Sequence, residues 1–155
     1  MKMKTLLALL FALSTAIPAV AQQSLDVMVD REIASLVSTY KMLHAAPELS
    51  HREEKTSAFF AMQLRALGFT VTEHIGKYDR PGFTGYGVVA VMKNGDGPTV
   101  LVRTDLDGLP VEEKTGLPYA STVKAKNDAG QDVGVMHACG HDIHMTSMIG
   151  TAKVL

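Results

Sequence analysis

The feature that most limits the fold of this chain is a change in the period of its apolar residues. Near the beginning, and again at the end, apolar residues recur three and four positions apart, as one face of a helix requires. Between these segments they alternate or run together, as they do in strands. Helical segments on both sides of β-rich runs predict an α/β fold, in which helices cover a layered sheet.

Two helices are predicted before the first strand. The first has Ser24 in position to cap it and the second extends from Glu53 to Leu67, where Gly68 provides a stop. Residues 44–50 contain the proline and polar residues of a connector between them. The apolar positions of the first helix are Leu25, Met28, Val29, Ile33, Leu36, Val37, Tyr40 and Leu43.

Three strands are predicted in the middle of the chain. Residues 69–75 alternate with period two, and residues 87–92 and 99–104 are rich in valine. The sequence Asn-Gly-Asp-Gly-Pro at 94–98 is typical of a turn, so the second and third strands are expected to form a hairpin.

Residues 1–21 have the pattern of a secretory signal peptide. They combine two early lysines, an apolar stretch at 6–13 and Ala-Val-Ala at 19–21. The alternative of a membrane anchor is disfavoured, because the apolar stretch is much shorter than the roughly 20 residues that span a bilayer. We therefore expect an exported protein, periplasmic or secreted, whose mature chain comprises residues 22–155 and has no membrane partner.

Charge and cysteine content exclude several classes of protein. The 155 residues include 15 lysines and arginines against 16 acids, a formal net charge of -1, without a basic run. A nucleic-acid partner is therefore not expected. The single cysteine excludes a disulfide within the chain and zinc modules built from four thiolates. A metal site with mixed ligands stays open.

The third predicted strand leads into Asp-Leu-Asp-Gly-Leu-Pro at residues 105–110. Asp105 and Asp107 would lie on one face if the strand stayed extended, and ligand sites of α/β sheets collect at such strand ends. The Gly-Leu-Pro corner that follows supports a second interpretation equally well, in which both aspartates only form the turn.

Residues 137–144 hold three of the six histidines and the only cysteine. Cys139 and His141 are two positions apart, and a loop could direct their thiolate and imidazole at one metal ion. The alternative for Cys139 is a buried position, packed like a small apolar residue. We favour metal binding for this pair and a purely structural role for His137 and His144.

A third helix is predicted after the cysteine, because apolar residues from Ile143 to Leu155 return to helical spacing. Asp142 is placed to cap this helix. The candidate ligands would then lie in a loop at the start of a helix.

Three motifs give the chain a resemblance to a known family. They are residues 44–50 followed by Glu53, residues 103–110, and residues 137–142. Their order and spacing resemble the aminoacylase-type metallopeptidases, in the amidohydrolase subgroup of hippurate hydrolases, N-acyl-amino-acid deacylases and auxin-conjugate hydrolases. The resemblance extends over residues 30–155 and implies the N-terminal part of a zinc-peptidase-like catalytic domain.

The resemblance also implies a site and a reaction. Cys139 and His141 would be two ligands of a dinuclear centre for Zn, Mn or Co ions, in an enzyme that hydrolyses small N-acyl amino acids or related amides. Asp105 corresponds to the acidic partner of a metal-ligating histidine in the wider family. Because Arg103 occupies that histidine position here, Asp105 is expected at most to orient a ligand.

Family members carry further motifs beyond the Cys-Gly-His loop: a paired glutamate that supplies the general base, more histidine ligands, and an inserted domain that implies a homodimer. None is present before Leu155, so we expect a truncated catalytic domain whose catalytic residues are unknown. Glu112 and Glu113 are predicted to be solvated. Two hypotheses follow: a metal-dependent amidohydrolase, or a non-catalytic remnant that acts as a binding or assembly fragment.

Overall fold

The computed structural model describes residues 25–155, so the predicted signal peptide and Ser24 lie outside the described residues. No helix within 25–155 combines the length and apolar character needed to cross a bilayer. In chain order the elements are α1 (residues 25–45), α2 (Glu54–Ala66), β1 (Thr70–Ile75), β2 (Gly87–Val91), β3 (Lys124–Lys126), β4 (Asp132–Gly134) and α3 (His141–Val154).

The strands form two antiparallel pairs. β1 pairs with β2, with Thr70 opposite Val91, and β3 pairs with β4, with Ala125 opposite Val133. The apolar face of α2 covers the first pair, since Val71, Val88 and Ala90 pack against the buried core residues. The predicted α/β class, with helices layered on strands, is confirmed.

The prediction of a third strand at 99–104 is wrong, and so is the hairpin expected at 94–98. These residues make no ladder with β2, whose partner is β1 instead. Val100 and Leu101 are 80% and 84% exposed. A strand requires hydrogen bonds from a neighbour, and the described part of the chain supplies none along this segment.

The short hairpin of β3 and β4 was not among the predicted elements. Its turn is organised by Asn127, whose side-chain oxygen accepts hydrogen bonds from the backbone N–H groups of Ala129 and Gln131, both at 3.0 Å. Gly130 adopts a positive φ of 76° in the same turn. The Asn-Asp-Ala-Gly sequence was the available signal, because asparagine and glycine are favoured in such turns.

The core lies where the three helices meet. Its buried residues are Leu43, Phe60, Leu64, Met145, Ile149 and Ala152. α3 approaches α1 closely at Gly150, where a Cβ atom would lie 3.0 Å from Leu36. Near the end of α3, Lys153 donates to the Glu32 carboxylate of α1 at 2.5 Å. These contacts fix α3, which carries His141 at its first position.

Both ends of α2 have identifiable causes. At the start, the Glu48 carboxylate accepts the Thr56 N–H at 2.7 Å, and this satisfies a backbone donor that the first turn leaves free. At the end, Gly68 has a φ of 90° and the Phe69 N–H donates to Leu64. The predicted glycine stop is confirmed.

Candidate metal centre

Backbone contacts join three segments that are distant in the sequence. The Gly108 N–H donates to the Glu48 carbonyl at 2.7 Å, and Leu109 and Met136 exchange two hydrogen bonds of 2.8 and 3.0 Å. Gly108 is required here, because a Cβ atom would lie 2.8 Å from Pro47. The three motifs found in the sequence therefore meet in one place.

His141 is held by the segment that contains the paired aspartates. Its Nδ1 lies 2.8 Å from the Asp107 carbonyl oxygen and 3.0 Å from the Asp107 carboxylate. With Nδ1 donating to Asp107, the lone pair of the imidazole is on Nε2. A carboxylate or carbonyl on the far nitrogen is the usual support of a metal-binding histidine.

Asp105 faces the other nitrogen of the same ring. One carboxylate oxygen of Asp105 lies 3.9 Å from His141 Nε2, and the other accepts a hydrogen bond from Arg103 at 2.5 Å. The two aspartates thus converge on one imidazole, although residues 99–104 do not form the predicted strand. The orienting contact in this structure comes from Asp107, which the sequence analysis did not select. A role for Asp105 in orienting a ligand stays a prediction.

Cys139 lies in the turn immediately before α3, and its side chain is exposed and unpaired with another cysteine. The alternative of a buried, core-packed cysteine is therefore wrong. Gly140, with a φ of 76°, separates Cys139 from the helix. His144 is also exposed, on the second turn of α3. The predicted arrangement of a loop at a helix start is confirmed.

His137 is buried beside this turn, and its Nδ1 has no hydrogen-bond partner among the described residues. Burial lowers the pKa of His137, although the Asp142 carboxylate acts in the opposite direction. A buried nitrogen without a hydrogen-bond partner costs free energy of folding, and this one lies beside the candidate ligands.

The residues present fit part of a metal centre. A thiolate and an imidazole are donors that zinc uses, and the ring of His141 is held with Nε2 free of a hydrogen bond. Within residues 25–155, however, no three His, Cys, Asp or Glu side chains are grouped so that they could hold an ion. Catalytic zinc sites use three protein ligands, so Cys139 and His141 account for at most two.

A buried charged cluster lies on the other side of the α3 N-terminus. His44, at the end of α1, contacts the Asp142 carboxylate through Nδ1 at 2.7 Å and the Glu113 carboxylate through Nε2 at 3.0 Å. All three side chains are less than a tenth exposed. We call His44, Glu113 and Asp142 the buried triad.

The buried triad corrects two predictions. Asp142 is not the cap of α3: the helix begins at His141 after Gly140, and one Asp142 oxygen is bound to His44. Glu113 is not solvated, because it also accepts the Ser121 N–H at 2.5 Å. Glu112, in contrast, is exposed as predicted. The sequence held no signal that these acids, separated by 29 positions, share one partner.

The protonation of the triad follows from its contacts. Burial alone would lower the pKa of His44, but the two carboxylates outweigh burial and raise it above its ordinary value. Burial would raise the pKa of Glu113, but hydrogen bonds from Thr115, His44 and Ser121 lower it instead. The imidazolium form of His44 is favoured, since both its nitrogens can then donate.

Comparison with known proteins agrees with this geometry. Residues 101–155 match the profile of peptidase family M20/M25/M40. The chain is related to the M20 peptidases. The solved structure of the Bacillus subtilis YXEP protein, described as a dinuclear metal-binding M20 peptidase, superposes with a TM-score of 0.60 at 34% identity. That superposition covers 83% of this chain and 30% of the YXEP chain.

Two curated relatives show the same partial coverage. The N-acetyl-L-cysteine deacetylase of Bacillus subtilis is 40% identical over 121 residues, which are 77% of this chain and 25% of the relative. The hippurate hydrolase of Campylobacter jejuni is 41% identical over 114 residues, 73% of this chain and 25% of the relative. The chain thus spans about a quarter of the length of these relatives, and the resemblance to amidohydrolases is confirmed.

Proposed function

We propose that the protein is a metal-dependent amidohydrolase, which cleaves the amide bond of N-acyl amino acids or related small amides. The observation that carries this proposal is the meeting of the three motifs around His141, with Asp107 on its Nδ1 and Asp105 facing its Nε2. The similarity to a hippurate hydrolase and a deacetylase supports the reaction class.

We assign Cys139 and His141 as two ligands of the metal centre. A divalent ion bound there would polarise the substrate carbonyl as a Lewis acid. Asp107 would keep the imidazole of His141 in the tautomer that has its lone pair on Nε2. The dinuclear M20 neighbour supports two ions per complete site, for which we propose Zn, Mn or Co.

The test is hydrolysis by the complete protein that carries these residues. Hippurate and several N-acetyl amino acids are incubated with the enzyme before chelation, after chelation, and after addition of Mn²⁺, Zn²⁺ or Co²⁺. We expect release of the free amino acid that is lost on chelation and restored by a metal. Absence of metal-dependent release from every substrate would refute the proposal.

The second hypothesis, a fragment without activity, is favoured by one observation: residues 25–155 do not group three metal-binding side chains. For residues 22–155 expressed alone we therefore propose weak metal binding and no turnover. The same assay decides this, since amino acid released by that polypeptide above the buffer background would contradict it.

We also propose export to the periplasm or the medium, with cleavage after Ala21. Mass spectrometry of the purified protein tests this directly. A mature N-terminus at Gln22 supports export, and an intact Met1 on the cellular protein contradicts it. A homodimer of the complete enzyme, implied by the family resemblance, is tested by light scattering.

A further inference from the structure

Among residues 25–155, the buried triad is a group of ionisable side chains that joins the start of α3 to distant segments and that the proposed function does not use. His44 belongs to α1, Glu113 to the segment that follows residues 103–110, and Asp142 to the first turn of α3. Asp142 directly follows the candidate ligand His141. A movement of Asp142 therefore changes where the His141 backbone lies.

The hydrogen bonding of His44 is fully specified by its contacts. Ionised carboxylates only accept hydrogen bonds, so an imidazole between two of them must donate from both nitrogens. The rings of Tyr40 and Tyr119 pack against His44, with centroids at 5.5 and 5.4 Å, and confine the ring further. In this orientation one ring connects the Glu113 and Asp142 oxygens.

The contacts on the two sides of the first turn of α3 have different partners. His44 holds Asp142 from α1 at 2.7 Å, whereas Asp107, in residues 103–110, holds His141 at 2.8 Å. The His44–Asp142 contact and the Asp107–His141 contact share no residue. The first turn of α3 is thus held from both sides, by His44 through Asp142 and by Asp107 through His141.

We propose that His44 is a positioning residue for the metal centre, which acts through Asp142 to fix the first turn of α3 and the direction of the His141 ring. The inference rests on the proposed function, because it takes Cys139 and His141 to be ligands. It adds a residue 97 positions from His141 to the machinery that determines metal affinity.

The experiment measures Zn²⁺ affinity of the complete protein by competition with a chromophoric chelator. His44→Gln should weaken Zn²⁺ binding about 10- to 100-fold, as is usual when a support of a metal ligand is removed. The matched control is His74→Asn, because His74 is an exposed histidine on β1 and asparagine tolerates its positive φ of 57°. The control should keep native affinity.

A second comparison separates positioning from a general loss of structure. Glu113→Gln should weaken Zn²⁺ binding in the native background, but strengthen it in the His44→Gln background, where it removes one of the two buried carboxylates that have lost the histidine. Likewise, Asp142→Asn should cost less affinity in the His44→Gln protein than in the native protein. If each substitution changes Zn²⁺ affinity by the same factor in the native and His44→Gln backgrounds, the proposal is overturned.

The outcomes distinguish this inference from the proposed function. If Cys139→Ser loses Zn²⁺ while folded His44→Gln keeps native affinity, His44 is not a positioning residue but the metal centre stands. If the native protein binds no Zn²⁺, both fall. Should His44→Gln fail to fold, Glu113→Gln in the native background takes its place, with about 10-fold weaker binding expected and unchanged affinity contradicting the inference.

Discussion

Two adjacent residues, His141 and Asp142, belong to regions of opposite character. Asp142 is 2% exposed and joins the buried triad, next to a core of packed apolar side chains. His141 faces the partly exposed Asp105 and follows the exposed Cys139. In the buried region each charged group of the triad has a partner. In the open region His141 Nε2 and the Cys139 thiol keep lone pairs that could bind a metal ion. The buried region determines stability and the open region is available for chemistry.

The largest expected effect is on stability and comes from the core. Phe60→Ala should lower the free energy of unfolding by about 3–5 kcal/mol, because Phe60 is 2% exposed and its removal leaves a cavity beside Leu64 and Met145. Denaturant unfolding of the metal-free protein measures it. Phe83→Ala, at a partly exposed position, should cost much less. Equal losses would contradict the assignment of the core.

The reverse pattern is expected at the open region. Cys139→Ser should weaken Zn²⁺ binding by more than about 100-fold, since it removes a ligand rather than the support of one. The stability of the metal-free protein should change by less than about 0.5 kcal/mol, as for other exposed positions. Calorimetric titration and unfolding provide the two readouts. His144→Ala is the control, and a comparable loss of Zn²⁺ affinity there would contradict the assignment of Cys139.

A smaller effect on Zn²⁺ affinity is expected at Asp107, which holds the proposed ligand His141. Asp107→Asn should weaken Zn²⁺ binding by about 10-fold, near the lower limit for such supports, because the Asp107 carbonyl still accepts from His141. Asp105→Asn provides the comparison at the other ring nitrogen. If Asp105→Asn changes metal affinity more than Asp107→Asn does, Asp105 is the more important of the two acids.

The smallest effect is a pH dependence of stability in the metal-free protein. The pKa of His44 is raised, so its contribution is complete below about 6.5 and is lost as pH rises through the raised value. The pKa of Glu113 is lowered, so its contribution is complete above about 4.5 and is lost as pH falls through the lowered value. Both contributions are complete between about pH 4.5 and 6.5, where stability should therefore be greatest.

His44→Gln is the variant that checks this dependence. The groups facing His44 are Glu113 and Asp142, with the Tyr40 and Tyr119 rings packed beside them. In His44→Gln the loss of stability above pH 6.5 should be absent from thermal unfolding curves. A native profile in that variant would assign the pH dependence to other groups.

Local sequence predicted the elements whose causes are local. The helices α1 and α3, the Gly68 stop and the loop that presents Cys139 follow from spacing and from single residues, and all are confirmed. The apolar face predicted for α1 is only partly buried, since Leu25, Ile33 and Val37 are exposed. The strand at 99–104 was predicted from composition, but pairing depends on a neighbour that local sequence does not identify.

The parts of the site that sequence analysis missed depend on contacts between distant residues. Nothing near Glu113 indicates burial, because its partner His44 is 69 positions away. The choice of Asp107 over Asp105 as the support of His141 likewise depends on which carboxylate the chain places beside Nδ1. Only the family resemblance, through its three motifs, indicated that these segments belong together.

The close approach at Gly108 has a consequence for tolerance to substitution. A Cβ atom there would lie 2.8 Å from Pro47 and 3.1 Å from Val135. Alanine is therefore already too large, and the chemical character of a longer side chain makes little difference to whether it is tolerated. At Cys139 the situation is inverted: its exposed side chain leaves room for many residues, and under the proposed ligand role only a metal-binding side chain should preserve function. A saturation library should therefore reject substitutions at residue 108 by volume and at residue 139 by ligand character.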